Sequence, residues 1–162
     1  MFLVGTYELT IDAKNRLSIP YKIRRKMDDR RDGRSFYVLP GQRQGTLALY
    51  PEVYFEDLRP VPPAESLSDE THEWRQFEYS QCDLLDPDSQ GRILIPDRIL
   101  KRAELGKEVT LIGVQDHLEI WDRQEYEAFE SGQWGSYTEK RAEAAKELKQ
   151  FTKPVTTVPK ES

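Results

Sequence analysis

The sequence predicts a β-rich α+β fold in which two copies of one small unit pair into a closed or nearly closed barrel. Two observations and one physical constraint lead there. Asp12-Ala13-Lys14-Asn15-Arg16-Leu17-Ser18-Ile19-Pro20 lines up with Asp88-Ser89-Gln90-Gly91-Arg92-Ile93-Leu94-Ile95-Pro96 at an offset of 76 positions. Beyond this motif, Leu9 matches Leu85, Ile23 matches Ile99, and each copy goes on to a second apolar stretch and then an acidic, aromatic segment. The constraint is that a small β unit with open strand edges cannot bury its apolar face alone, whereas two copies can cover each other's edges.

Within a copy the expected order is strand, tight turn, strand, short helix, strand, strand, short helix. The opening Met1-Phe2-Leu3-Val4-Gly5-Thr6-Tyr7 lacks the basic and long apolar regions of a signal peptide and reads as a first strand. Leu17 and Ile19 alternate with Arg16 and Ser18, the period of a half-buried strand. Lys14-Asn15 and Gln90-Gly91 stand where a two-residue hairpin turn belongs; its second position needs φ > 0, which Gly accepts freely and Asn more easily than most residues. Pro20 and Pro96 end these strands and can serve as the first residue of a helix, where a missing N–H costs nothing. The runs from Tyr21 to Met27 and from Asp97 to Ala103 then read as short helices. Phe36 to Leu39 and Val109 to Val114 are matching strands, as are Gly45 to Tyr50 and His117 to Trp121. Each is followed by the acidic, aromatic segment, Val53 to Leu58 and Glu125 to Phe129.

Between the copies, Pro60-Val61-Pro62-Pro63 breaks the chain, and Ser66 to Tyr79 reads as a helix capped by Ser66 or Ser68, with Leu67, Trp74 and Phe77 as its apolar contacts. Tyr137 to Phe151 is charged and Ala-rich, the composition of an exposed helix, and Thr152 to Ser162 is expected to be a disordered tail. The division is therefore a first repeat over 1–59, a linker with a helix over 60–80, a second repeat over 81–130 and a tail over 131–162.

The chain of 162 residues is 37% hydrophobic and carries a formal net charge of −5. No stretch approaches the roughly 18 uninterrupted apolar residues of a membrane span, and Cys82 is the only cysteine. A soluble cytoplasmic protein is expected, with no membrane partner. Net acidity argues against a generic nucleic-acid binder, but the charge is unevenly placed. From Asp12 to Arg34, nine basic residues face four acidic ones, an excess of five. The corresponding window from Asp88 to Thr110 holds five against four. A phosphate-facing surface is therefore expected mainly on the first copy. Arg16 is the candidate for a base edge, and Lys14 with Arg24, Arg25 and Lys26 for phosphate positioning.

With its Asp-x-x-Gly/Asn-Arg-x-x-Ile-Pro motif present twice, and with Leu49-Tyr50-Pro51 and Leu118-Glu119-Ile120-Trp121-Asp122 matching at the ends of the copies, the sequence resembles the MraZ family over nearly all of residues 1–130. More distantly it resembles the AbrB/SpoVT swapped-hairpin DNA binders. The resemblance implies a double-split, swapped-hairpin β-barrel and a homo-oligomeric ring. It also implies a nucleoid-associated transcription regulator, most often a repressor, that binds double-stranded DNA at short direct repeats in the promoter of a division and cell-wall gene cluster. The family's DNA contacts fall here on Lys14 and Arg16. Asn15, between them and also counted among the DNA-binding candidates, stands where the family most often has Gly, and Gln90 where the second motif would have Lys.

Simpler readings stand beside these. Arg16 and Arg92 can hold their turns by ion pairs to Asp12 and Asp88; this is the preferred reading for Arg92, whereas DNA contact is preferred for Arg16. Arg24 to Lys26 reads equally well as a solvated helix face, and Arg30-Arg31 as a charged loop. His72 and His117 are isolated, without partners at metal-ligand spacing, so no metal or cofactor is expected. Cys82 reads as a packing residue rather than a nucleophile, and Trp74, Trp121, Tyr126 and Phe129 as core or subunit-interface aromatics. No catalytic constellation or phosphate loop is visible, so neither an enzyme nor a small-molecule substrate is expected. The alternative class is an AbrB-like antitoxin or protein-binding assembly module, with the segment from Tyr137 onward as a partner-binding element.

Overall fold

In the computed structural model, which describes residues 1–153, the element order read from the sequence occurs twice. The first copy comprises β1 (Leu3–Thr10), β2 (Arg16–Ser18), α1 (Tyr21–Arg24), β3 (Phe36–Pro40), β4 (Leu47–Pro51) and α2 (Glu52–Leu58). A 3-10 turn (Ala64–Ser66) and α3 (Asp69–Ser80) connect it to the second copy. That copy comprises β5 (Asp83–Leu85), β6 (Arg92–Leu94), α4 (Asp97–Arg102), β7 (Glu108–Gln115), β8 (Leu118–Asp122) and α5 (Arg123–Gly135). One compact unit runs from Met1 to Tyr126 and a second begins at Glu127. The second contains α6 (Tyr137–Leu148) and a 3-10 turn (Lys149–Phe151), and α6 has no buried residue. Of the expected disordered tail, residues 154–162 lie outside the described residues.

Most strand pairing crosses between the copies. Eight residue pairs join β1 to β7, from Leu3 opposite Gln115 to Thr10 opposite Glu108. β4 pairs with β8, β3 with β5, and β2 with β6, all antiparallel. Only β3–β4 and β7–β8 are ladders within one copy. The result is mixed α+β, but three expectations are corrected. The six-stranded sheet runs β1-β7-β8-β4-β3-β5 and is open, with β2–β6 as a separate ladder, so the hydrogen-bonded strands do not close into a barrel. Nor is β1-turn-β2 a hairpin ladder, because the turn sends β2 out of the large sheet to meet β6. Pro20 and Pro96 are also N-caps, with ψ of 142° and 136°, rather than first helical residues.

The core has a large cluster and a smaller one. Leu17 and Ile93 from the short ladder, Ile23 from α1 and Ile99 from α4 pack with Leu3, Val38, Leu49, Leu111 and Ile120 from the large sheet. Strand alternation sends the neighbouring residues to the opposite face, where Tyr37, Leu39, Ala48 and Tyr50 pack with Phe55 of α2. Arg123 ties the start of α5 to the sheet through its Nη2, which donates to the Leu9 carbonyl at 2.7 Å. α3 is capped by Ser68, whose Oγ accepts from the Thr71 N–H, but it buries none of its residues. Trp74 and Phe77 touch one another with centroids 5.6 Å apart and remain 58% and 53% exposed, so Trp74 is a surface residue, whereas Trp121 is buried and meets Tyr126 edge-on.

His117 is not isolated. Its ring stacks on Tyr50 at 4.7 Å, Nδ1 lies 2.6 Å from Asp116 and Nε2 lies 3.2 Å from Glu119. Trp121 donates to Glu119, and Tyr54 donates to Asp116. Burial alone lowers the imidazole pKa, but the hydrogen bonds to Glu119 and Asp116 outweigh it and leave the pKa above its ordinary value of 6.5.

Two outcomes test this architecture. At Gly113 an added Cβ would lie 2.4 Å from the Val4 backbone nitrogen across the β1–β7 ladder. Gly113→Ala is expected to cost about 1–3 kcal/mol, read as a lower urea midpoint; an unchanged midpoint would contradict the close crossing. For His117 the folded pKa is raised, so its stabilisation is complete below about pH 6.5 and is lost as the pH climbs through the folded value. The melting temperature of His117→Gln should therefore trail the parent most near pH 6 and least near pH 9. A gap that widens with pH would show the opposite sign.

Candidate nucleic-acid interface

The repeated motif builds the same turn twice. Asp12 Oδ1 accepts from the backbone N–H groups of Lys14 and Arg16, both at 2.9 Å, and Asp88 Oδ1 accepts from those of Gln90 and Arg92 at 2.9 and 3.0 Å. The second carboxylate oxygen takes the arginine Nε, 2.7 Å for Arg16 and 2.8 Å for Arg92. These bonds hold both aspartates below their ordinary pKa, first through the backbone N–H of Arg16 or Arg92 and then through its side chain. The chain closes between Asp12 N–H and Arg16 O, and between Asp88 N–H and Arg92 O. Three residues lie between those closing positions, with Asn15 (φ 61°) and Gly91 (φ 76°) in the left-handed region, so the loop is one residue longer than expected but has its positive φ at the expected place.

The ion-pair reading therefore holds for both arginines. In the β2–β6 ladder Arg16 lies opposite Leu94 and Ser18 opposite Arg92. Leu17 and Ile93 point into the core, so by alternation Arg16, Ser18, Arg92 and the exposed Leu94 share the outer face. The outcome is a two-stranded ribbon bearing two oriented guanidinium groups on its outer side.

The remaining cations are not grouped as the sequence windows suggest, because each turn is covered by residues from the other copy. Backbone bonds cross between the turns: Ile95 N–H donates to Asn15 O at 2.9 Å, and Ile19 N–H to Gly91 O at 3.0 Å. Arg24, from the first copy, lies against the second turn, with its Nε 2.6 Å from where a Gly91 Cβ would stand and donating to the Ile19 carbonyl at 3.0 Å. Lys107, from the second copy, lies against the first turn, its Nζ 3.0 Å from Asn15 Oδ1 and 3.2 Å from the Asp12 carbonyl. Lys14 is exposed at the apex of the first turn, and Arg25 and Lys26 are exposed just after α1. The Arg30-Arg31 segment is the charged loop expected: Asp28 accepts from both backbone N–H groups, and Arg31 pairs with Asp32, which is buried.

The sequence reading missed Lys107 as a neighbour of the first turn. The pairing of β1 with β7, which no local sequence signal gives, puts the start of β7 beside the end of β1 and hence beside Asp12. Cys82 is half-buried and hydrogen-bonded to the Glu78 carbonyl, and burial pushes its thiol up to about 11, which suits packing and not nucleophilic attack. Among the described residues no cluster of His, Cys, Asp or Glu could hold a metal ion, and no helix is long and apolar enough to cross a membrane.

With this geometry in view, the comparisons with known proteins point one way. The family described as "MraZ protein, putative antitoxin-like" matches residues 2–78 and again 79–148. Proteins named transcriptional regulator MraZ from Burkholderia cenocepacia (strain HI2424) and Burkholderia mallei (strain SAVP1) are each 36% identical to the chain over 126 residues, 78% of this chain and 86% of the relative.

The differing environments of the two turns predict unequal tolerance. Gly91→Asn must displace Arg24 and is expected to cost about 1–3 kcal/mol, whereas Asn15→Gly should stay within about 1 kcal/mol of the parent. Thermal melts of the two variants decide it, and equal losses would refute the distinction.

Proposed function

The chain belongs to the MraZ family, and from that premise we propose that it is a transcription regulator that contacts double-stranded DNA with the outer face of the β2–β6 ribbon and its two turns. The observation that carries this reading is the pair of carboxylate-oriented arginines, Arg16 and Arg92, on one face of a two-stranded ribbon. A ribbon of that width enters a major groove. Nε is the nitrogen engaged by Asp12, which leaves the far edge of the Arg16 guanidinium to address a guanine, a contact worth about 1–3 kcal/mol of discrimination. Lys14, Arg25 and Lys26 supply phosphate contacts that set register. Arg24, tied to Ile19, holds the second turn and contributes its charge there.

The finer parts of this reading follow the family resemblance. By that resemblance, the strand exchange between the copies corresponds to a swapped-hairpin arrangement, within repeats over 1–59 and 81–130. The chain assembles into a ring in the cytoplasm at the nucleoid and represses a division and cell-wall gene cluster by binding short direct repeats in its promoter. Linking weak sites in this way raises overall affinity about 10²–10⁴-fold, which reconciles a net acidic chain with DNA. A second reading, that of an antitoxin-like protein-binding module, is favoured by one observation, the exposed Trp74–Phe77 pair on α3.

Arg16→Ala should abolish repeat-specific binding in a gel shift while leaving the assembly size unchanged by light scattering. Arg92→Ala should lose less, because the apex beside it carries Gln90 where the first turn carries Lys14. Normal affinity of Arg16→Ala would refute the reading, and affinity for a copurifying protein with none for DNA would replace it with the second.

A further inference from the structure

We propose that Lys107 is a DNA-phosphate contact of the first turn, donated by the second repeat and held in position by Asn15; this rests on the DNA-binding reading above. Lys107 is exposed, yet its ammonium is not free to wander. Two of its three N–H groups are directed to Asn15 Oδ1 and the Asp12 carbonyl. The acceptors are neutral, and among the described residues Lys107 forms no ion pair, so its positive charge is placed without being cancelled by a bonded carboxylate. The backbone is fixed as well: the Lys107 carbonyl accepts from the Ile11 N–H at 2.8 Å, and Thr10 lies opposite the neighbouring Glu108. An ammonium anchored this way keeps one N–H for an oxygen arriving at the turn, the geometry a phosphate needs from a point cation.

The second turn supports the assignment by contrast. The residue matching Arg24 at an offset of 76 is Leu100, which is buried, so the first turn has no counterpart of the arginine that crosses Gly91; from α4 it is the Asp97 side chain that reaches Asn15. At the first turn the corresponding side chain is that of Asn15, and Lys107 donates to it. Asp97, which binds Lys101 at 2.7 Å, also lies near Asn15 and Lys107; its carboxyl is held low by Lys101 first, then by both of them. The first turn thus gathers Lys14, Arg16 and Lys107 around an aspartate whose oxygens are already occupied. Asn15 acts as a positioning residue, and Lys107 is the group that meets the phosphate.

The test uses the full chain and a labelled duplex of the DNA immediately upstream of its own coding region, with affinity measured across a salt series. Lys107→Gln keeps a donor for Asn15 and removes the charge, while Lys107→Arg keeps the charge. The glutamine variant should bind about tenfold more weakly at low salt and lose at least about 0.9 from the slope of log affinity against log salt. The arginine variant should keep the parental slope. In an Asn15→Gly background the further loss from Lys107→Gln should shrink, because the ammonium is no longer held. An unchanged slope for Lys107→Gln, with the parent binding normally, overturns this inference alone. Failure of the parent to bind at low salt takes down the regulator reading with it.

Discussion

The bonds that cross between the two turns hold the rest of the molecule in register. β2 and β6 are three residues each, too short to persist as isolated strands. They are kept by Ile19 N–H reaching Gly91 O, by Ile95 N–H reaching Asn15 O, and by burial of Leu17 and Ile93 beneath them. Each turn supplies the acceptor that the other copy's strand end requires. A turn that opened would release both strands, the N-cap of the helix that follows, and the core residues Ile23 or Ile99. That is why Asp12 and Asp88 accept three donors each: a carboxylate with every bond made is a strong local clamp, and here it fixes the loop from which everything downstream is aimed.

The same clamp settles how an acidic chain presents cations. Local charge counts treat Asp12 and Asp88 as simple opponents of the neighbouring basic residues, whereas in the fold their lone pairs face inward along the turn and orient an arginine outward. Arg31 and Arg34 are likewise matched by Asp32 and Asp29, so the first copy's net excess resides on its other basic residues. The cations left to face a ligand come from both copies, because antiparallel pairing of β1 with β7 sets the end of one beside the start of the other. Spatial charge in a strand-exchanged protein is a property of the pairing and not of a sequence window.

What the sequence revealed follows from the range of each signal. The Asp-to-Arg spacing, the αL position at Asn15 and Gly91, and the alternation around Leu17 and Ile93 act over five residues or fewer, and all could be read directly. Element order was equally legible because it repeats at a fixed offset. Closure of the sheet, the partner of β2, and the placement of Arg24 and Lys107 depend on contacts between residues some 70–95 positions apart, which local periodicity does not encode. His117 was misread for a related reason: Asp116 and Glu119 adjoin it in sequence, but the Tyr50 ring that completes its site comes from the neighbouring strand β4.

A carboxylate beside Arg16 opposes its attraction to polyanionic DNA. Two effects decide the balance. Coulomb attraction to phosphate is weakened by the nearby negative charge, but Asp12 is partly exposed and screened, and Lys14 and Lys107 belong to the same turn. Against that loss, a long flexible guanidinium already fixed in direction gives up less freedom on binding, a saving on the order of 0.5–1.5 kcal/mol per immobilised side chain. A base contact depends on direction more than on net charge, so an oriented arginine would serve recognition better than an unpaired one. In the proposed reading the neighbours have different duties: the lysines attract the DNA backbone, and the clamped arginine addresses a base edge.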